Sequence, residues 1–142
     1  MPWYEYSVTP GGAKPFVSVL LWHGARRVRI LALVDSGADM SAINASYANV
    51  LGLDRADAVS ETTTVADGGT ANCLHWPNAP LEIQFGRDRF PFDGVFLEFP
   101  PAADPVNLLG RRDFFQRYII QFWDAAELMS IDTSPDYPQP AP

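Results

Sequence analysis

The chain has 142 residues, and its 47% hydrophobic and 19% charged content excludes a chain that is disordered along its whole length. Its formal net charge of −7 disfavours general nucleic-acid binding, because an acidic surface repels phosphate backbones. No apolar run approaches the roughly 20 residues that a membrane-spanning helix needs, and one cysteine with two histidines argues against a structural zinc site. We therefore expect one globular domain without metal or cofactor that binds neither nucleic acid nor membrane.

The predicted elements are mostly strands, separated by turns about every ten residues. A hairpin comes first, in which two apolar, β-branched runs flank a turn at residues 23–25. Short helices are predicted over residues 44–51, where Asn44 is a suitable N-cap and Gly52 a suitable stop, and over residues 112–117. The strand candidates cover residues 16–22, 28–34, 39–43, 61–66, 70–76, 81–85, 90–99, 118–123 and 128–131. This pattern predicts a mainly β barrel or sandwich with one or two short helices.

The two ends of the chain bear on its boundaries and location. Residues 134–142 hold four of the 13 prolines and no aliphatic core residue, so we expect a flexible tail after a domain of residues 1–133. Residues 100–105 are predicted as a loop. A lone cysteine and the lack of a signal-peptide pattern in residues 1–6 lead us to expect a cytoplasmic protein.

One segment carries the residue types of a catalytic site. An apolar strand over residues 31–34 delivers Asp35 to a turn formed by Ser36 and Gly37. Gly37 permits a tight turn that brings main-chain N–H groups towards the carboxylate, and the Ser36 hydroxyl can lock the loop. A carboxylate held in this way is preorganised to act on water. Taken alone, the tripeptide also fits an ordinary turn after a strand.

The wider sequence resembles the retropepsin-like aspartic proteases, the family of the retroviral proteases, which carry Asp-Thr/Ser-Gly-Ala at this point. A second family signature is two apolar residues, glycine and arginine before a C-terminal helix, and residues 108–111 match it as Leu-Leu-Gly-Arg. Between the motifs lies a glycine turn, Gly68 and Gly69, where the family has its flap. The resemblance covers roughly residues 16–132 and implies a closed retropepsin-like barrel with one lobe per chain.

The resemblance implies a role for each residue of the first motif. Asp35 corresponds to the catalytic aspartate, and Ser36 to the residue whose hydroxyl ties the two active-site loops together across a dimer. Gly37 corresponds to the residue whose carbonyl accepts a hydrogen bond from the substrate, and Ala38 completes the loop. Asp39 is expected at the substrate site.

The second motif and the glycine turn are expected to support the site. Leu108 and Leu109 would pack under the active-site loop, with Gly110 beside them. Arg111 corresponds to the partner of Asp39 in an ion pair, and separate surface charges are the alternative. The glycine turn at residues 68–69 would contact the substrate as a flap. An ordinary surface turn is also open there, because retroviral flaps carry a denser glycine cluster.

The catalytic chemistry of the family uses two carboxylates that share one proton. This chain has a single Asp-Ser-Gly, so we expect a homodimer in which Asp35 is supplied twice. Residues 3–8 and 128–131 would join the subunits, as chain termini do in retroviral proteases, although the proline-rich tail departs from the family. No polyprotein segment flanks the domain in this sequence, so we expect a cellular, bacterial-type member.

The predicted function is an aspartic endopeptidase that binds a peptide or protein substrate as an extended strand under the flaps. One alternative is an inactive module of the same fold that binds peptides or acts as a scaffold, and another is an unrelated β-barrel binding protein. Cys73 with His75, two residues along the same predicted strand, is a further alternative nucleophile and base that no motif supports.

Overall fold

The computed structural model describes residues 3–64, 68–99 and 106–133, and within these ranges the fold is mainly β with two short α-helices. The predicted fold class is confirmed in this respect. The first seven strands are β1 (Trp3–Glu5), β2 (Ser7–Thr9), β3 (Gly12–Lys14), β4 (Phe16–His23), β5 (Arg26–Val34), β6 (Ser41–Asn44) and β7 (Val59–Thr64). The next seven are β8 (Thr70–His75), β9 (Leu81–Phe85), β10 (Asp88–Pro91), β11 (Gly94–Glu98), β12 (Asn107–Leu109), β13 (Tyr118–Trp123) and β14 (Leu128–Thr133). The helices are α1 (Ser46–Val50) and α2 (Phe114–Arg117), and two short 3₁₀ turns cover Arg55–Asp57 and Asp124–Ala126.

Nine of these strands form one curled sheet in the order β10-β9-β4-β5-β12-β6-β11-β8-β7. The short strand β12 lies between β5 and β6, parallel to the first and antiparallel to the second. Asn107 is buried at the start of β12, where its amide donates to the carbonyl oxygen of Leu31 over 3.2 Å and accepts from the backbone N–H of Asn44 over 2.8 Å. One polar side chain therefore ties β12 to both neighbouring segments.

The sheet has a core face and an open face, which follows from the alternation of side chains along each strand. On the core face, the inward residues of the β4–β5 hairpin are almost fully buried. They are Val17, Val19, Leu21, Ile30, Ala32 and Val34. The opposite face of β5 carries exposed or half-buried residues and is available to form a binding surface.

The first strand and the last two strands of the described residues form a three-stranded sheet of order β1-β14-β13. Of the segments that the sequence suggested for joining subunits, residues 3–5 and 128–131 lie here, and within the single chain β1 pairs with β14. Residues 7 and 8 belong to β2, which pairs with β3 instead. One face of this sheet exposes Trp3, Ile119 and Trp123, each with about half of its surface accessible. The rings of Trp3 and Trp123 pack edge to face with centroids 6.2 Å apart.

Several predicted elements differ from the observed ones. The strands predicted from residues 39 and 61 begin at Ser41 and Val59, and β1, β2, β3 and β12 were not predicted. Helix α1 begins at Ser46, because Asn44 belongs to β6 and its side chain accepts from the backbone N–H of Ser46 over 3.0 Å. Helix α2 begins at Phe114, because Asp113 is its N-cap. The single strand predicted over residues 90–99 is two strands, since β10 pairs with β9 at one edge and β11 pairs with β6 and β8 elsewhere in the sheet.

Two predicted segments lie outside the described residues, namely the loop over residues 100–105 and the tail over residues 134–142. In the ranges that are described, neither helix has the length and apolar character that crossing a membrane requires.

Candidate active site

Asp35 is the first residue after β5, and main-chain groups fix both its backbone and its side chain. Its N–H donates to the carbonyl oxygen of Leu109 over 3.0 Å, and its carboxylate oxygen Oδ1 accepts from the N–H of Gly37 over 2.8 Å. The N–H of Ala38 closes the turn by donating to the Asp35 carbonyl oxygen over 3.2 Å. Asp35 is half-buried, whereas Ser36 and Gly37 are exposed. The turn therefore brings a main-chain N–H to the carboxylate, as the sequence predicted.

The second motif, residues 108–111, packs against the loop that follows Asp35. The N–H of Arg111 donates to the carbonyl oxygen of Ala38 over 2.9 Å, and the N–H of Arg112 donates to that of Asp39 over 3.0 Å. A Cβ atom on Gly110 would lie 2.4 Å from the carbonyl carbon of Met40, so the approach leaves room only for glycine. These contacts join the two motifs into one structural unit.

A buried carboxylate, Asp113, stabilises that unit from beneath. Its Oδ1 atom accepts from the Ser41 hydroxyl and from the N–H of Phe114, each over 2.6 Å, and its Oδ2 atom accepts from the N–H of Asp93 over 3.0 Å. The Ser41 oxygen in turn accepts from the N–H of Gly110 over 3.0 Å. Burial raises the pKa of Asp113 above its ordinary value, and the donated hydrogen bonds only partly offset this effect.

No role for Asp113 was predicted from the sequence, although an aspartate directly before a helix is a common N-cap. Its distance along the chain from Ser41 and Asp93 hid the rest of the cluster, because those contacts depend on the tertiary fold.

Asp39 and Arg111 are brought together as expected from the resemblance, with 3.7 Å between Oδ1 and Nη1. Their side chains are 85% and 63% exposed, so the pair contributes about 1 kcal/mol at most. The second motif therefore supports the loop mainly through its backbone. Of the two leucines, Leu109 is fully buried, whereas Leu108 is half-buried and faces the open side of the sheet.

A cleft of about 1770 Å³ opens over Asp35 on the open face of the sheet. Its floor is a row of apolar side chains from five adjacent strands, one beside the next. The row consists of Phe16, Leu33, Leu108, Ala42 and Val95. One wall is formed by the β7–β8 hairpin, including Glu61 and Thr63. The arrangement suits an extended chain with apolar side chains that passes the Asp35 carboxylate.

The β7–β8 hairpin lies where the resemblance implies a flap, but its tip is not described, because residues 65–67 fall outside the described ranges. Gly68 has φ of +84°, a conformation that favours glycine, and both Gly68 and Gly69 are exposed. Neither belongs to the described residues that line the cleft. Their contact with a substrate therefore stays a prediction.

Cys73 and His75 both line the cleft from β8, so they share one face as predicted. Burial raises the pKa of the Cys73 thiol, and the nearby Glu61 carboxylate raises it further. A catalytic thiol needs the opposite shift, because the thiolate is the nucleophile. This alternative is therefore disfavoured by the surroundings of Cys73.

On the other side of Asp35 lies a second, smaller depression of about 490 Å³. It is lined by Lys14 and Ser36, by Phe122 of β13, and by Asp35 itself. Asp35 therefore lies between the large cleft and an open depression that reaches the three-stranded sheet through Phe122.

Comparison with known proteins identifies the fold. No protein-family model and no curated protein sequence matches the chain. Among solved structures, it is similar to the EIAV protease in complex with the inhibitor HBY-793, with a TM-score of 0.50 and 21% identity over 74% of this chain and 88% of that one. It is also similar to a retropepsin-like aspartic protease from Rickettsia conorii, with a TM-score of 0.58 and 17% identity over 92% of this chain and 89% of that one. The two sequence motifs, the crossing of their loops and these structural likenesses agree that the chain has the retropepsin-like fold.

Proposed function

We propose that this protein is an aspartic endopeptidase that works as a homodimer, with one Asp35 carboxylate from each subunit. The observation that carries the proposal is the fixed position of Asp35, which Gly37 and Leu109 hold over the apolar floor of a cleft. Two such carboxylates at close range cannot both ionise, so the pair shares one proton.

The proposed reaction uses the two protonation states for different tasks. The ionised carboxylate accepts a proton from a water molecule, and the water oxygen attacks the carbonyl carbon of the scissile peptide bond. The protonated carboxyl donates a hydrogen bond to the carbonyl oxygen, where negative charge develops. As the C–N bond of the tetrahedral intermediate breaks, the carboxyl that took the proton from water donates it to the leaving amine and is ionised again.

The need for a second subunit follows from the count of carboxylates, since the chain has one Asp-Ser-Gly. The depression beside Asp35 and Ser36 leaves space for the active-site loop of another copy. The exposed ring of Phe122 supplies apolar surface for association at this depression. Trp3, Ile119 and Trp123 are exposed on the opposite face of the same sheet. In this arrangement Ser36 would bond across the dimer axis.

The substrate of the proposed enzyme is an extended peptide with apolar side chains near the scissile bond. The row of apolar residues on the cleft floor supports this class of substrate. The carbonyl of Gly37 would accept a hydrogen bond from the peptide backbone, Asp39 would lie near one end, and residues 68–69 would close over it.

The test is cleavage of an unbiased peptide library from about pH 3 to 8, comparing the wild type with Asp35→Asn, which keeps the side-chain shape and removes the ionisable group. Asp57→Asn is the matched control, because Asp57 is exposed in a 3₁₀ turn away from the cleft lining. We expect cleavage by the wild type and the control and none by Asp35→Asn. Cleavage that survives in Asp35→Asn would overturn the assignment. Cleavage by none of the three, with a dimer in solution, would favour an inactive peptide-binding module.

A further inference from the structure

The open face of the sheet continues beyond the cleft along β5. Leu31 lines the cleft, and the next residues on the same face are Arg29 and Arg27. At about 3.3 Å per residue, they lie roughly 7 and 13 Å farther along the strand than Leu31. Their neighbours across the β4–β5 ladder are Leu20 and Trp22. The floor of the cleft therefore runs without a break onto this part of the sheet.

We call this part the basic strip, and we define it by Arg27, Arg29, Arg89, Leu20 and Trp22. The guanidinium carbon of Arg89 lies 4.2 Å from the centre of the Trp22 ring, and that of Arg27 lies 5.2 Å from it. These distances are in the range of cation–π attraction, which holds the two charges around the indole.

Two hydrogen bonds fix the remaining groups of the basic strip. The indole N–H of Trp22 donates to Oε1 of Gln84 over 2.9 Å. Nη1 of Arg29 donates to the Ser18 hydroxyl over 3.0 Å, which leaves the other N–H groups of this guanidinium for another acceptor. The basic strip is therefore ordered before any partner arrives, which lowers the entropic cost of binding.

The charge of the basic strip is opposite to that of the whole molecule. It gathers three arginines on a chain whose formal net charge is −7. Arg89 is paired with Glu82 over 2.8 Å, whereas Arg27 and Arg29 have no ion-pair partner within the described ranges. Two guanidinium groups are thus available to carboxylates, which they can bind in a bidentate manner.

We propose that the basic strip binds an acidic segment of the substrate chain, a few residues away from the scissile bond. The inference rests on the proposed function for its link to cleavage, but the binding of an acidic peptide can be tested without it. Trp and Arg are the residue types that contribute most to binding at protein surfaces, and here they stand together on a face continuous with the cleft. Arg29 and Arg27 are then residues that determine specificity at a distance from Asp35.

The first experiment measures binding alone, with the full-length Asp35→Asn protein. The probe is a capped hexapeptide of alternating Glu and Asp, and the control probe has Gln and Asn in their places. We expect the acidic peptide to shift the NMR signal of the Trp22 indole N–H, assigned with Trp22→Phe, and to lose this effect at high salt. An indole signal that does not move, or that moves equally with the neutral peptide, would overturn the inference.

The matched variants compare two faces of the same strand. Arg29→Gln removes one charge and leaves the contacts of Arg27 and Arg89 with Trp22 in place, and it should reduce the shift. Arg26→Gln removes an arginine whose side chain lies beside Gly52 instead, so it should leave the shift in place. Equal losses in both proteins would show a general effect of net charge and would contradict the basic strip as a site.

The second experiment tests the link to cleavage with the wild-type protein. A library substrate that is cut is extended by the acidic or the neutral hexapeptide, and we expect kcat/KM to be about threefold to tenfold higher with the acidic extension. Cleavage at equal rates together with no indole shift would overturn the inference and leave the proposed function standing. An indole shift without any cleavage would support the binding of an acidic peptide and contradict the proposed function.

Discussion

Gly110 is the residue at which the two motifs approach most closely. An added Cβ would lie 2.5 Å from the Met40 carbonyl oxygen and 2.9 Å from that of Ala38, and both are backbone atoms that cannot move aside alone. We predict that Gly110→Ala lowers the free energy of unfolding by about 3 kcal/mol or more, because the loops must separate. Urea unfolding measures this change. Gly11→Ala is the control, since the nearest atom to its Cβ would be 3.8 Å away. A loss below about 1 kcal/mol for Gly110→Ala would show that the loops are not tightly packed.

Asp113 is the second residue on which the loop arrangement depends. Its raised pKa means that the folded state holds the carboxyl proton more tightly than the unfolded state does. The carboxyl therefore contributes most to stability below its ordinary pKa of 3.8, and this contribution declines as the pH rises through the raised pKa. An asparagine at this position has no such titration.

We predict that Asp113→Asn destabilises the protein by about 1–3 kcal/mol. The NH₂ group of the asparagine would face a backbone N–H that donates to a carboxylate oxygen in the wild type. The gap in unfolding free energy between wild type and variant should narrow as the pH rises from about 4 towards 7. Urea unfolding across this pH range provides the measurement, with the exposed Asp57→Asn as the control. A gap that widens with pH would mean that the ionised form of Asp113 is the better fit.

Among the elements, local patterns predicted strands well where apolar and polar residues alternate and a turn signal follows. The β4–β5 hairpin shows alternating apolar residues and a glycine turn, and its predicted and observed bounds differ by only one or two residues. The strand predicted over residues 90–99 failed because its residues are apolar on both sides of a break. Pro91 and the Asp93-Gly94 pair are local signals of this break that the prediction passed over. The partner strand that each half meets depends on the tertiary fold.

The β7–β8 hairpin allows a test of the cysteine alternative. Burial and the nearby Glu61 carboxylate raise the pKa of the Cys73 thiol above its ordinary value of 9.0. Iodoacetamide should therefore alkylate Cys73 more slowly than it alkylates reduced glutathione at neutral pH. Its rate should rise with a midpoint above that value, and Glu61→Gln should lower the midpoint slightly. Cys73→Ser should retain cleavage, because the proposed reaction does not use the thiol. Rapid alkylation at neutral pH, with loss of cleavage in Cys73→Ser, would restore the thiol as a candidate nucleophile.

In the whole molecule, the candidate site combines a turn formed by neighbouring residues with contacts between residues far apart in the chain. The turn around Asp35 was predictable from its own residues, because Gly37 and the preceding strand determine it. The pairing of the two motifs followed only from the family resemblance. The cleft floor and the Asp113 cluster were not predicted, since their members come from segments far apart in the chain.

The proposed active site needs two copies of the molecule, because one chain supplies one Asp35. This requirement is tested most directly by refolding wild-type and Asp35→Asn chains together in varying ratios at constant total concentration, and measuring cleavage of a library substrate. Mixtures with Asp57→Asn control for dilution and refolding losses. If both carboxylates are required, activity follows the square of the wild-type fraction, and an equal mixture retains about a quarter of the activity. An equal mixture that retains about half would show that each chain acts alone, and would contradict the shared site.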